Sequence, residues 1–180
     1  MRVVMISGSL RAGSSNTALL RAAAQVAPPG MELVLYEGIG ELPHFNPDLD
    51  GEGAVPPPAV AELRALLAAA DGALFSTPEY ALGLPGSFKN AFDWLVSSGE
   101  LYGKPALILN AAPAGADRAQ AALVQTLTMI SMNVLPASRL TPFVQKRGDA
   151  AALLADPGVA AVLREALAAL ADAMGTQPNL

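Results

Sequence analysis

The chain has no cysteine, which excludes disulfides, thiolate nucleophiles, iron–sulfur clusters and cysteine zinc sites together. It has a single histidine, His44, so a multi-histidine metal centre is excluded as well. Only 15% of its 180 residues are charged, and the net charge of −5 speaks against nucleic acid as a partner. No uninterrupted apolar run approaches the roughly 18 residues that cross a bilayer, so no membrane partner is expected. The opening apolar stretch ends at Ser7-Gly8-Ser9, too short and without the cleavage site of a secretory signal. A cytoplasmic location is the expectation. Redox chemistry in such a chain must come from a bound organic cofactor or a carboxylate-held metal. No metal-ligating residues are nominated.

What is present is a regular alternation of strand and helix patterns. Arg2–Ile6 reads as a strand and Asn16–Val26 as a helix with Leu19, Leu20, Ala23 and Val26 on one face. Pro28-Pro29-Gly30 stops that helix, and Met31–Tyr36 reads as the second strand. Glu37 to Pro58 is a Pro/Gly-rich connection too long for an ordinary turn, which suits a functional or interface excursion. Ala59–Ala70, Pro85–Val96 and Ala116–Ser131 read as helices, Ala73–Ser76 and Ala106–Leu109 as strands. Val134–Leu140 reads as a fifth strand, and Ala151–Met174 as a last helical region interrupted near Pro157-Gly158.

Strand–helix alternation with apolar strands implies a parallel sheet covered on both faces. With right-handed crossovers the expected strand order is 2-1-3-4-5, a flavodoxin-like α/β three-layer sandwich. No linker or repeat divides residues 1–180, so a single domain is expected. Ligands of such sheets bind at the carboxyl ends of the strands, where the order switches between strands 1 and 3. The segments that leave those two strands, Gly8–Thr17 and Thr77–Leu84, are also the most distinctive in the sequence.

The first segment is suited to an anion. Its glycines allow a tight turn with several N–H groups presented, and Ser9, Ser14, Ser15, Asn16 and Thr17 add short polar groups. Arg11 supplies the formal charge, and the helix start adds unpaired N–H groups and a positive dipole end. Together they match a terminal phosphomonoester. Neither G-x-x-x-x-G-K-[ST] nor G-x-G-x-x-G is present, so the phosphate is not that of a Walker-type or dinucleotide site. Read without a ligand, the same residues are a capped helix start with a turn.

The second segment continues as Thr77-Pro78-Glu79-Tyr80-Ala81-Leu82-Gly83-Leu84-Pro85 and then Lys89-Asn90-Ala91-Phe92-Asp93-Trp94. Together with Gly8-Ser9-Leu10-Arg11, Ser14 and Asn16, it resembles the NADPH-dependent FMN reductase family of quinone, chromate and azo-dye reductases. That family carries G-S-L-R-x-x-S-x-N after its first strand and P-E-Y-N-x-x-x-P-x-x-x-K-N-A-x-D-W after its third. The resemblance implies FMN as cofactor and NADPH or NADH as co-substrate. It places Ser9, Arg11, Ser14, Ser15, Asn16 and Thr17 around the FMN phosphate. Pro78, Glu79, Tyr80 and Ala81 would line the isoalloxazine, with Gly115 in the loop after strand four beside it. It also implies a homodimer or homotetramer, with the helix after Pro85 often in the contact. Read alone, Lys89 and Asp93 are an i,i+4 surface pair and Trp94 is core.

Two positions depart from the family pattern. Ala81 stands where asparagine is usual, and the loop 110–117 keeps only Gly115 of an often glycine-rich run before Arg118-Ala119-Gln120. The implied reaction passes a hydride from NAD(P)H through FMN N5 to a small-molecule acceptor such as a quinone, free flavin, azo compound or oxidised metal ion. No catalytic residue of the protein is needed, because the cofactor carries the chemistry. A non-enzymatic flavodoxin-like electron carrier, or a flavin-binding module with little turnover, is the alternative. A response-regulator receiver is disfavoured, since Ser7-Gly8-Ser9 stands where such proteins hold magnesium with acids.

Overall fold

A computed structural model describes residues 1–112, 116–139 and 148–176. Five strands, β1 (Arg2–Ser7), β2 (Glu32–Tyr36), β3 (Gly72–Ser76), β4 (Pro105–Leu109) and β5 (Asn133–Val134), form one sheet. The order is β2-β1-β3-β4-β5 and every pairing is parallel, as the alternating pattern implied. β3 and β4 are buried along their whole length, which is why they are runs of apolar residues rather than alternations.

The helices lie on both faces. α2 (Pro58–Ala68), α3 (Gly86–Asp93) and α4 (Asp117–Met129) pack through Leu63, Phe88, Phe92 and Leu127 against Val4, Ile6, Phe75 and Ile108. α1 (Ser15–Gln25), α5 (Ala150–Leu154) and α6 (Pro157–Gly175) bury Leu19, Leu20, Leu163 and Leu167 against Val3, Met5, Leu74 and Leu107. Alternate residues of β1 therefore serve opposite cores, the period-two consequence of an extended backbone.

Two elements end well short of the sequence expectation. β5 covers two residues instead of the stretch Val134–Leu140, whose last residue lies outside the described part. Leu135 still donates to Ala106 O at 2.9 Å, but Pro136 has no N–H and the chain turns into a short 3-10 helix. The Ser138 hydroxyl then accepts the Ile108 N–H at 3.0 Å, doing for β4 what a longer strand would have done. α3 stops at Asp93 rather than near Val96, where the Trp94 carbonyl turns out to accept from the Arg64 guanidinium. The last helical region is broken near Pro157, as expected, because Asp156 caps α6 by accepting from Gly158 N at 2.8 Å and Pro157 opens its first turn.

The connection from Glu37 to Pro58 is tied down along its length. The Asn90 side chain accepts from Phe45 N at 2.8 Å and donates to Pro43 O at 2.9 Å. Trp94 Nε1 donates to the same Pro43 oxygen at 2.8 Å, and Phe45 meets the indole edge-on. Further along, Asp50 accepts from Arg64 at 2.7 Å and from Ser97 at 2.6 Å. The K-N-A-x-D-W stretch thus has an internal task, in keeping with Trp94 read as core. Lys89 and Asp93 do form the expected i,i+4 ion pair.

Candidate functional site

Strands β1 and β3 end side by side, with Ser7 paired to Ser76. The two loops that follow are in direct contact. Gly8 donates to Ser76 O at 2.8 Å, and a Cβ on Gly8 would stand 2.3 Å from Thr77 Oγ1 and 2.9 Å from Phe88. Only a residue without a side chain lets the loops approach so closely. Thr77 is buried beneath this contact, a role that the sequence did not reveal.

In the first loop, hydroxyls brace the backbone. Ser7 Oγ accepts from Ser9 N at 3.3 Å and from Thr17 Oγ1 at 2.8 Å, and Ser9 Oγ accepts from Arg11 N. Ser14, in extended conformation, is the N-cap of α1 and accepts from Thr17 N. Ala18 N bonds the Ser14 carbonyl, so the first-turn N–H groups of Ser15 and Asn16 have no protein acceptor among the described residues. Asn16 is buried, its Oδ1 accepting from Ser76 Oγ at 2.9 Å, which fixes the helix start to β3.

Arg11 is exposed and makes no ion pair among the described residues, whereas the neighbouring Arg21 is committed to Glu37 at 2.7 Å. Beside the loop, towards the end of β2, is a cavity of about 450 Å³ lined in part by Ser9, Arg11, Thr17 and Tyr36. Burial pushes the Tyr36 phenol up, and the Glu62 and Glu41 carboxylates push it further, so the hydroxyl stays protonated. Two free N–H groups at a helix start and an uncommitted guanidinium fit a phosphate dianion.

The second loop is built differently. Pro78 and Glu79 are half-buried, and Tyr80 and Ala81 are exposed. The Glu79 carboxylate accepts from Arg118 N at 3.0 Å and Ala119 N at 3.1 Å, the second and third residues of α4. Ala116, at the N-cap of α4, is left-handed and contributes no side-chain cap, so Glu79 caps the helix from another loop. Tyr80 and Gly83 exchange both backbone hydrogen bonds at 3.0 Å, with Ala81 and Leu82 between them at φ 49° and 65°. Two central residues of positive φ make a type I′ turn, which Asn-Gly fits best. The asparagine usual in the family at position 81 is thereby explained as a left-handed residue.

The structure therefore brings together Ser9, Arg11, Ser14, Ser15, Asn16 and Thr17 around one helix start, with Pro78, Glu79, Tyr80 and Ala81 on the adjoining loop. Gly115 lies outside the described residues. His44 is exposed on the long connection, and among the described residues no cluster of acids or histidine could hold a metal. No helix of the described chain is long and apolar enough to cross a membrane.

Comparison with known proteins agrees with this architecture. The chain is 39% identical over 175 residues to an NAD(P)H-dependent FMN reductase of Pseudomonas aeruginosa, covering 94% of this chain and 93% of that protein. It is 35% identical over 139 residues to a quinone reductase of Escherichia coli, with 75% and 73% covered. Among solved structures, the flavoenzyme NAD(P)H:(acceptor) oxidoreductase FerB of Paracoccus denitrificans superposes with a TM-score of 0.79 at 30% identity, over 97% of each chain. A family model described as NADPH-dependent FMN reductase matches residues 1–144. The chain belongs to the NADPH-dependent FMN reductase family, an enzyme family whose cofactor is FMN.

Proposed function

We propose that this protein oxidises NADPH or NADH and reduces a small acceptor, a quinone or a free flavin, at a site spanning the β1–α1 loop and the turn after β3. Bound FMN supplies the relay for two electrons and one proton, and with a second proton from solvent a quinone becomes its hydroquinone. The protein's own residues bind and orient. Ser15 N, Asn16 N and the Arg11 guanidinium hold the phosphate, with the Ser9 and Ser14 hydroxyls as further donors, while Thr17 braces the site by donating its hydroxyl proton to Ser7. Pro78, Glu79, Tyr80 and Ala81 form the ring wall through backbone groups and the phenol ring. No side chain acts as acid, base or nucleophile.

The observation that carries this reading is the donor set of the first loop, unpaired among the described residues, which Gly8 locks against the start of the second. Purification followed by visible absorbance, flavin release and NAD(P)H oxidation with a quinone panel tests it. One FMN per chain and quinone-dependent turnover are expected. A colourless protein whose melting temperature FMN does not raise would overturn the reading. Bound FMN that NAD(P)H reduces without quinone turnover would instead make the protein an electron carrier. The same reading includes a homodimer or homotetramer in the cytoplasm, the assembly measurable by light scattering.

A further inference from the structure

The Tyr80–Gly83 turn has a property that the fold does not require. Its two central residues, Ala81 and Leu82, both sit in the left-handed region, where a side chain is disfavoured and glycine or asparagine is at ease. Leu82 gains nothing from the chain in return. It is 64% exposed, so its side chain packs little inside the protein, and Tyr80 beside it is 52% exposed. The turn is also prevented from relaxing. The exchanged Tyr80–Gly83 hydrogen bonds hold it from within, and the Glu79 carboxylate pins its entrance to the first turn of α4. A residue that costs stability, buries little internally and stands on a fixed support makes its contact with something outside the chain.

The position says what that contact is. The turn follows β3 directly, and β3 ends beside β1 where the anion-binding loop begins. We propose that Leu82, presented by the strained turn with Tyr80, is a specificity-determining residue that favours apolar, alkyl-substituted quinones over small polar acceptors. The inference rests on the FMN-dependent reading above and adds the acceptor class to it. Glu79 is the positioning residue of this arrangement, acting through the turn rather than on the acceptor.

Two substitutions test it in the FMN-loaded protein, Leu82→Gly and Leu82→Lys. Glycine removes the side chain and the strain together, so the melting temperature rises by about 2–4 °C. Selectivity is the ratio of kcat/KM for a decyl-substituted benzoquinone to that for unsubstituted benzoquinone. It falls about tenfold in both variants, mainly through KM of the alkyl quinone, the scale expected for losing one apolar contact in a pocket. A variant that is more stable and less selective is what a merely structural residue would not produce. An unchanged ratio in both variants overturns the proposal. So does a changed subunit number, which would give Leu82 to a second copy of the chain, or a lower melting temperature for Leu82→Gly. If the wild-type protein binds no FMN or fails to turn over benzoquinone, it is the underlying function that fails, and the two failures are told apart before any variant is made.

Discussion

In the β1–α1 loop, the hydroxyls that brace backbone N–H groups sit two or three residues from their partners. In the loop after β3, Glu79 reaches Arg118 and Ala119, 39 and 40 residues along the chain. The first loop has no residue of positive φ among its described positions, and the second has two, neither of them glycine. One loop is relaxed, braced by its own hydroxyls and tied to the end of β3 through Gly8 N and Asn16; the other is strained and held at its entrance by a distant helix. In the proposed function, phosphate recognition needs a preformed set of donors, which the hydroxyl braces and the tie to β3 supply. A wall that selects among acceptors has to stand at a set height above the site, and that needs an outside anchor.

The largest expected effect comes from breaking the contact that joins the loops. Gly8→Ala places a methyl group 2.3 Å from Thr77 Oγ1 with Phe88 behind it, so the loops must part. Destabilisation of about 3 kcal/mol is expected by urea denaturation, with FMN affinity at least tenfold weaker by fluorescence quenching titration. A loss of stability with FMN affinity intact would show that the first loop does not depend on the second.

This difference in wiring also governs how much could be read from the sequence. The first loop was legible because its logic is local: Ser14 before Ser15-Asn16-Thr17 is a cap on any reading, and Arg11 is the only charged residue between Gly8 and Thr17. The strand order was legible from the apolar runs of β1, β3 and β4. Glu79 was singled out in the loop after β3, yet its carboxylate bonds could not be foreseen, since they join two loops across the sheet ends. Asn90 and Trp94 were recognisable as a motif, but their partner Pro43 lies 47 and 51 residues away. Ser138 replaces a strand residue with a side chain, which no periodicity encodes.

The long connection extends the contrast, because distant side chains hold it too. Asn90→Ala removes the acceptor of Phe45 N and a donor to Pro43 O, at a cost of about 2 kcal/mol. Limited proteolysis between residues 41 and 50 should accelerate while cleavage in the first loop does not. Equal acceleration in both would erase the distinction between them.

A smaller effect is expected at Asp50, and it has a pH signature. Burial raises its carboxyl, but hydrogen bonds from Ser97 and Arg64 and the Arg64 charge outweigh burial and hold it below the ordinary carboxylate value. A carboxyl whose pKa is lower folded than unfolded stabilises the protein above its unfolded value, about 3.9, and that contribution is lost as pH falls through the folded value. Asp50→Asn should therefore cost about 1 kcal/mol at neutral pH and progressively less under acid, followed by melting temperature from pH 7 downwards. A difference that stays constant with pH would mean that the Arg64–Asp50 pair contributes through packing alone.

The smallest effect separates strain that serves the site from strain that does not. Ser131 has φ 63° at the end of α4, far along the chain from either loop. Its N–H donates to Thr128 O at 3.0 Å, and Met132 N donates to Leu127 O at 2.9 Å. That pair of bonds is a Schellman ending, in which the left-handed residue is usually glycine. Ser131 is exposed, so a glycine there loses no packing. Ser131→Gly should stabilise the protein by about 0.5–1 kcal/mol, read as a rise in melting temperature, and leave acceptor selectivity where it was. Relief of strain at Leu82 should raise stability in the same way while lowering selectivity. If both substitutions shift selectivity alike, the turn after β3 has no special claim on the acceptor, and its strain is only what an unoptimised sequence carries.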